Sequence, residues 1–221
     1  CYNDGTFVIV GSGPSLKDFA EDLKKDREDF KPICAINGAH DWLIENGVEP
    51  DLFLTIDPRD LRHNLKLQSD RTIYLLASRC SPLIFDHLKG RPIMLWHAFS
   101  HNEESQFFKG KDYYLIGGMS TSGLRAVNVG YHLGFRKFKF YGMDSCNSPD
   151  GMTKRVDGSL TGQTIDVIVG GRKFVCNLAM GKQAEEFQIL YKIMPDITIE
   201  SIGDGLITAI IDQRKRQGMW A

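Results

Sequence analysis

Residues 11–15 read Gly-Ser-Gly-Pro-Ser and directly follow the apolar run Val-Ile-Val. Glycines let a backbone approach a ligand closely, and the unpaired N–H groups at the start of a helix attract anions. The stretch is typical of a phosphate-binding loop, although a structural turn between a strand and a helix has the same composition. It lacks the third glycine of G-x-G-x-x-G, where Leu16 stands, and the Gly-Lys of a Walker A loop. The candidate nucleotide-binding residues here are Gly11, Ser12, Gly13, Pro14 and Ser15.

A second loop of this kind spans residues 117–123, Gly-Gly-Met-Ser-Thr-Ser-Gly, before another helix-like pattern. Thr121, Ser122 and Gly123 offer hydroxyl groups and the first N–H groups of that helix. An N-cap in a structural loop is the alternative interpretation. Two such loops at one edge of a sheet favour a ligand that carries phosphate.

Polar residues also follow two other strand-like runs. Asn37 and Gly38 end one of them, and an Asn side chain, with a donor and an acceptor, suits recognition of a base or a ribose. A turn Asn is the alternative. Asp144 follows Gly142-Met143 at the end of another run and is a further candidate nucleotide-binding residue.

Asp57 and Asp60 lie just past a third strand-like run, in the sequence Asp-Pro-Arg-Asp. Their carboxylates suit Mg²⁺ coordination, and Arg59 between them suits a phosphate. They are the candidate metal ligands, if the activity needs Mg²⁺, and also candidate catalytic bases. A surface turn, bent by Pro58, is the alternative interpretation.

His97 is the third candidate catalytic residue. With His101 it forms H-x-x-x-H, but the pair follows a strand-like run and no third ligand is evident, so the pattern does not predict zinc. A single His near the ligand edge remains a candidate acid or base.

The elements that must position these residues alternate between strands and helices along the chain. Strands are predicted at 6–10, 31–36, 52–56, 71–77, 91–96, 137–141 and 197–202. Helices are predicted at 15–25, with Ser15 as a possible N-cap, and at 40–46, 82–88, 124–133 and 181–193. This alternation predicts an α/β fold, a Rossmann-like three-layer sandwich with a mostly parallel sheet. Ligands bind such sheets beyond the carboxyl ends of the strands, where the candidate residues fall.

The 221 residues predict a single Rossmann-like nucleotide-binding domain over 1–221, with a mobile loop and hairpin insertion at 145–180. A net charge of -1 gives no electrostatic reason to expect nucleic acid. No apolar stretch is long enough to span a bilayer. Five scattered cysteines are typical of reduced thiols, and a cytoplasmic location is expected.

Several of these segments together resemble a known family. The Rossmann-like family concerned includes archaeal 6-hydroxymethylpterin diphosphokinase (MptE-like) and the central domain of flagellar motility-associated factor (Maf) glycosyltransferases. The chain is also similar, more distantly, to small bacterial CMP-sialic acid sialyltransferases. The resemblance rests on VIVGSGPSL (8–16), INGAHDWLIENGVEPDLFLTID (36–57), TSGLRAVNVGYHLGFRKFKFYGMD (121–144) and SIGDGL (201–206), in the family's order.

The resemblance implies that residues 11–15 and 121–123 cradle the phosphate and ribose of a nucleotide, that Asn37 helps to recognise it, and that Asp144 lies at the edge of the site. Two positions depart from the pterin kinase branch, which would place an Asp at Asn37 and an Asp-x-Asp after the third strand. The Thr-Ser-Gly at 121–123 resembles the sialyltransferase side instead. In the sialyltransferases the catalytic His lies downstream of the Gly-x-Asp at a strand end, which is Gly142-Met143-Asp144 here. This sequence has no His after His132.

Three functions follow as hypotheses. The first is a transferase that moves a sugar from a nucleotide-activated donor, such as a CMP-sugar, to a small-molecule or glycan acceptor. The second is an ATP-dependent diphosphokinase acting on a pterin-like alcohol, with Mg²⁺. The third is a nucleotide-binding module without turnover, which the missing His favours.

Overall fold

A computed structural model describes residues 3–99, 106, 109–110 and 115–219 of the chain. Its main feature is an eight-stranded sheet in which the paired strands run parallel. The strands of this sheet are β1 (Asn3–Val10), β2 (Ile33–Ile36), β3 (Leu52–Thr55), β4 (Ile73–Ala77), β5 (Ile93–Ala98), β6 (Leu115–Ile116), β7 (Phe135–Tyr141) and β10 (Thr198–Ser201). The predicted Rossmann-like α/β sheet is confirmed.

Helices flank the sheet, and a hairpin stands apart from it. The helices whose bounds the structure describes are α1 (Ala20–Glu28), α2 (Ala39–Glu45), α3 (Pro82–His87), α4 (Ser122–His132), α5 (Leu178–Ile193) and α6 (Leu206–Arg216). The hairpin pairs β8 (Ile165–Val169) with β9 (Arg172–Cys176) in antiparallel register. Short 3₁₀ turns span Pro14–Asp18 and Arg62–Asn64. Within the described residues no helix has the length and apolar character needed to cross a membrane.

The strand order explains where a ligand cleft can form. Across the sheet the strands lie in the order β10-β7-β1-β2-β3-β4-β5-β6. The chain therefore builds outward from β1 in one direction as far as β6 and then returns to the other side of β1 with β7. The order of the sheet thus reverses between β1 and β7, and in open α/β sheets a crevice forms at the carboxyl ends of the strands at such a point.

The core is built where strands are covered on both faces. All four residues of β2 and the last four of β1 are buried, as expected for central parallel strands between helical layers. Helix α4 packs against β1, β2, β3 and β7. Its Arg125 is fully buried and donates to the carbonyl oxygens of Phe99 (2.8 Å) and Ile116 (2.9 Å).

One predicted helix is wrong in its detail. The sequence predicts a single helix over 15–25 with Ser15 as its N-cap, but the structure has the 3₁₀ turn Pro14–Asp18, and α1 starts only at Ala20. Phe19 separates the two with φ -121° and ψ 22°. The reason is tertiary, because Ser15 is hydrogen-bonded to Asp144, a residue 129 positions away, instead of capping its own helix.

The segment 145–180 contains the predicted hairpin and an irregular loop that lies on the body of the domain. Asn147 N–H donates to the Val175 carbonyl (2.8 Å), and Val156 N–H donates to the Ser12 carbonyl (2.9 Å). An isolated bridge also joins Thr153 to Leu160. The insertion thus reaches the Gly-Ser-Gly loop, while its mobility stays a prediction.

Candidate functional site

A polar cleft of about 340 Å³ opens at the carboxyl ends of β1 and β7, where the strand order predicts it. Segments far apart in sequence converge on it. Of the predicted nucleotide-binding residues, the walls include Gly11, Ser12, Gly13, Asn37, Thr121, Ser122, Gly123 and Asp144. Pro14, Ser15 and Gly38 lie next to the cleft but are not part of its wall.

Glycines after β1 and β7 allow these two strand ends to touch. A Cβ at Gly11 would lie 2.6 Å from the Gly142 carbonyl oxygen, and a Cβ at Gly142 would overlap the Gly11 carbonyl. Gly142 also has φ +58°, a left-handed conformation that disfavours a side chain. The glycines are therefore required by the fold itself, in addition to any ligand.

The carboxylate of Asp144 binds the end of the loop at 11–15, where the sequence predicts a phosphate. Its carboxylate accepts hydrogen bonds from Ser15 N–H (2.9 Å) and from Ser15 Oγ (2.6 Å). Asp144 is 5% exposed, and this burial raises its pKa, although the two Ser15 hydrogen bonds act in the opposite direction. A side-chain carboxylate thus takes the amide at the start of the 3₁₀ turn.

A second cavity, of about 460 Å³, lies on the other side of Asp144. Pro14 and Ser15 line this cavity, and Asp144 and Cys146 belong to the walls of both spaces. The predicted loop at 11–15 is therefore divided: its first three residues face the cleft, and its last two face the second cavity.

The start of α4 supplies the second predicted loop. Thr121 is the N-cap, and its Oγ1 accepts from Leu124 N–H (3.4 Å), while Ser122 Oγ accepts from Ile56 N–H (3.2 Å). Both hydroxyl groups thus have structural partners. The N–H groups of Ser122 and Gly123 belong to the first turn, so they have no acceptor within the helix, and both residues line the cleft.

Asn37 is the most strained of the predicted site residues. It adopts φ +48°, and its Oδ1 is buried without a hydrogen-bond partner among the described residues. Strain and an unsatisfied polar atom that coincide at a cleft are features of ligand sites. Gly38 packs behind it, since a Cβ there would lie 3.5 Å from Asn64 Oδ1 and 3.6 Å from Ser12 Cβ.

Asp57 and Asp60 each form an ion pair with an arginine two residues later. Asp57 receives Arg59 Nε at 2.9 and 3.1 Å, and the hydrogen bonds from that side chain hold the Asp57 pKa below its usual value. Asp57 lines a smaller space of about 310 Å³ that adjoins the cleft through Asn37 and Arg59.

Asp60 lies outside these spaces on the exposed surface. The Arg62 side chain binds both of its oxygens and lowers the Asp60 pKa to about 2. Since the carboxylates of Asp57 and Asp60 are both held by arginines, they do not form a preformed Mg²⁺ site. The part of the chain that the structure describes contains no group of three or more His, Cys, Asp or Glu side chains suited to a metal.

His97 does not reach the cleft. It lines an apolar groove of about 600 Å³ beside β4 and β5, with neighbours such as Leu95, Trp96 and Leu133. His101 lies outside the described residues. Of the three predicted catalytic candidates, only Asp57 borders a space that adjoins the cleft, and His97 lies in a separate groove.

The sequence interpretation missed two cations and several polar residues in the wall of the cleft. Lys154 and Arg155 come from the insertion, Ser145 follows Asp144, and Asn177 and Gln183 come from the start of α5. Asn177 caps α5 by accepting from Met180 N–H (2.9 Å). The available signal was the adjacent Lys-Arg pair inside a polar loop that follows a strand-end Asp.

The fold and the cleft together define a Rossmann-like α/β protein with a ligand cleft at the switch point of its sheet. The family model described as 6-hydroxymethylpterin diphosphokinase MptE-like matches residues 2–150 of the 221, and the chain belongs to this family. The predicted family is thereby confirmed, and the family is named for a transferase. The comparison with curated proteins found no match.

Among solved structures, the chain is similar to the MAf glycosyltransferase from Magnetospirillum magneticum, with a TM-score of 0.70 and 15% sequence identity. The similarity covers 99% of this chain and 37% of that protein, so this chain corresponds to little more than a third of the neighbour's length. At this identity the similarity establishes the shared fold.

Proposed function

We propose that the protein is a nucleotide-dependent transferase that moves a sugar from a nucleotide-activated donor to a hydroxyl group of a small-molecule or glycan acceptor. The observation that carries this proposal is the convergence of four separate segments, at 11–13, 37, 121–123 and 144, on one cleft. The similarity in fold to a glycosyltransferase supports it.

The cleft and its smaller neighbour give room for the two parts of such a donor. They measure about 340 and 310 Å³ and share Asn37, Arg59, Thr121 and Ser122 in their walls. In the proposed arrangement the nucleotide lies in the cleft with its phosphate near the start of α4. The bond between the anomeric carbon and the phosphate oxygen breaks, and the phosphate keeps the electron pair.

We assign to Asp144 the role of the base that takes the proton from the acceptor hydroxyl group. It is the only acidic residue among the described residues that line the cleft. Burial raises its pKa, which makes it a better proton acceptor at neutral pH than Asp57, whose pKa is lowered by Arg59. A base at Asp144 would take the role of the His that this sequence lacks after His132.

An ATP-dependent diphosphokinase of the 6-hydroxymethylpterin type is the second candidate, and the family match over residues 2–150 favours it. Phosphoryl transfer of this kind uses Mg²⁺ on the phosphates. To bind the ion, Asp57 and Asp60 would have to release Arg59 and Arg62.

A donor panel tests the two candidates. The protein is incubated with CMP-, UDP- and GDP-sugars, and separately with ATP, Mg²⁺ and 6-hydroxymethylpterin, while nucleotide release and melting temperature are measured. We expect a CMP-sugar to raise the melting temperature and to release CMP. AMP formed only with the pterin would favour the diphosphokinase. Tight binding without any product would favour a nucleotide-binding module without turnover. No binding would contradict both candidates and the binding module.

A further inference from the structure

Two adjacent cations of the insertion lie in the wall of the cleft. Lys154 and Arg155 are partly buried there, and neither forms an ion pair with a carboxylate in the described part of the chain. Arg155 influences Asp57 and Asp157 only through longer-range attraction. Arg59, the third cation of the cleft, is already bound to Asp57. Lys154 and Arg155 thus provide positive charge that the protein itself does not neutralise by direct contact.

The backbone holds these two residues over the Gly-Ser-Gly loop. Val156 N–H donates to the Ser12 carbonyl (2.9 Å), directly after Arg155. Lys154 N–H donates to the Ser159 carbonyl (2.9 Å), and Gly158 N–H donates to the Arg155 carbonyl (3.1 Å). Since the backbone is fixed at both residues, less conformational entropy is lost when their side chains bind a ligand.

A buried hydroxyl group faces the same space without a partner. Ser145 is 7% exposed, lines the cleft, and its Oγ forms no hydrogen bond with the described residues. Ser145 also has φ +52°, so its backbone is held in an unfavourable conformation. Buried hydroxyl groups are normally hydrogen-bonded, and a ligand oxygen would satisfy this one.

We propose that Lys154 and Arg155, with Ser145 and the first N–H groups of α4, form an anion site for the phosphate next to the scissile bond of the donor. The site rests on the proposed function and assigns a role to residues outside the predicted loops. The two cations stabilise the charge that the phosphate gains when the bond to the sugar breaks. The positive charge of Lys154 and Arg155 does not depend on a metal ion bound to Asp57 and Asp60.

Inorganic pyrophosphate is a suitable probe, because it carries the anion without a base or a sugar. Its binding to the whole protein is measured by calorimetry in the presence of EDTA. Lys154→Gln combined with Arg155→Gln should weaken binding at least about tenfold, a loss of 1.4 kcal/mol. Ser145→Ala should weaken it by a smaller factor.

The matched control is Lys215→Gln combined with Arg216→Gln, an adjacent Lys-Arg pair at the exposed end of α6. It makes the same change in charge and should leave binding unaltered. Melting temperatures of both double variants show whether they fold. Equal binding by the wild-type protein and both double variants would overturn the proposal, as would no binding by the wild-type protein at millimolar pyrophosphate.

Two further measurements with the same variants distinguish failure of the anion site from failure of the proposed function. Cytidine and CMP are compared as ligands. The double substitution at Lys154 and Arg155 should weaken the binding of CMP and leave the binding of cytidine unchanged. If no nucleotide sugar is turned over but pyrophosphate binding depends on these two residues, the proposed function fails and the anion site stands. If a sugar is transferred and the double variant is as active as the wild type, the anion site fails alone.

Discussion

The cleft at the ends of β1 and β7 and the groove beside β4 and β5 lie on the same sheet but differ in character. The cleft has strained backbone at Asn37 and Ser145, and three cations lie in its wall. The groove is lined mainly by apolar side chains, such as Leu95 and Trp96, together with His97. A polar residue near a strand end is therefore not enough to predict a place in the cleft. The strand must also lie at or beside the point where the order of the sheet reverses, as β1, β7 and β2 do.

The largest expected effect is at Asp144. Asp144→Asn should lower transfer at least about a hundredfold, the usual range for a lost general base. The amide keeps one hydrogen bond from Ser15 N–H and donates to Ser15 Oγ, so the fold should persist. Because burial raises the pKa of Asp144, the charged form opposes folding, and stability at neutral pH should be unchanged or higher.

The pH profile sharpens this test. The base must be deprotonated, so transfer should rise with pH through the raised pKa of Asp144, and the variant should lose this rise. Asp212→Asn, at an exposed position of α6, is the control and should keep both rate and profile. A variant at Asp144 with wild-type kcat would show that the carboxylate serves only to hold Ser15.

The close contact of the two strand ends is the next target. Gly142→Ala should lower the free energy of unfolding by at least about 2 kcal/mol, because it adds a Cβ at φ +58° against the Gly11 carbonyl. Gly162→Ala is the control, since nothing lies within 4 Å of its added Cβ, and it should change stability by less than about 0.5 kcal/mol. Urea unfolding measures both. Equal effects would mean that β1 and β7 do not need this contact.

Asn37 should separate binding from stability. Asn37→Gly removes the side chain but suits φ +48°, so stability should stay within about 1 kcal/mol while nucleotide affinity falls about tenfold. Phe30→Gly is the matched control, because Phe30 has φ +58° and is 94% exposed away from the cleft. It should leave affinity unchanged. Unaltered affinity in Asn37→Gly would remove this residue from the binding site.

The smallest effects are expected outside the cleft. His97→Gln and Asp60→Asn should each leave transfer within about twofold of the wild type, since neither residue lines the cleft. Steady-state kinetics with the donor found in the panel measures this. A large loss of kcat in His97→Gln, with donor binding and melting temperature intact, would show that the groove takes part in catalysis.

Local sequence patterns predicted strands and turns well where a single local property, such as an apolar run or a pair of glycines, determines the structure. Buried runs such as those of β1 and β2 predict central strands, and the Gly-Gly at 170–171 predicts the turn between β8 and β9. The helix over 15–25 was wrong because Ser15 binds Asp144 across the fold. Local propensity contains no information about such a distant partner.

The amino-acid sequence was enough to predict the family, the alternating α/β pattern, and the glycine and hydroxyl loops that meet at the cleft. Their composition and spacing are local properties, and local properties can be read along a chain. The folded chain was needed to show which strand ends meet at the switch point, because strand order depends on packing between distant segments. It therefore brought Lys154, Arg155 and Asp144 to the cleft and left His97 and Asp60 outside it.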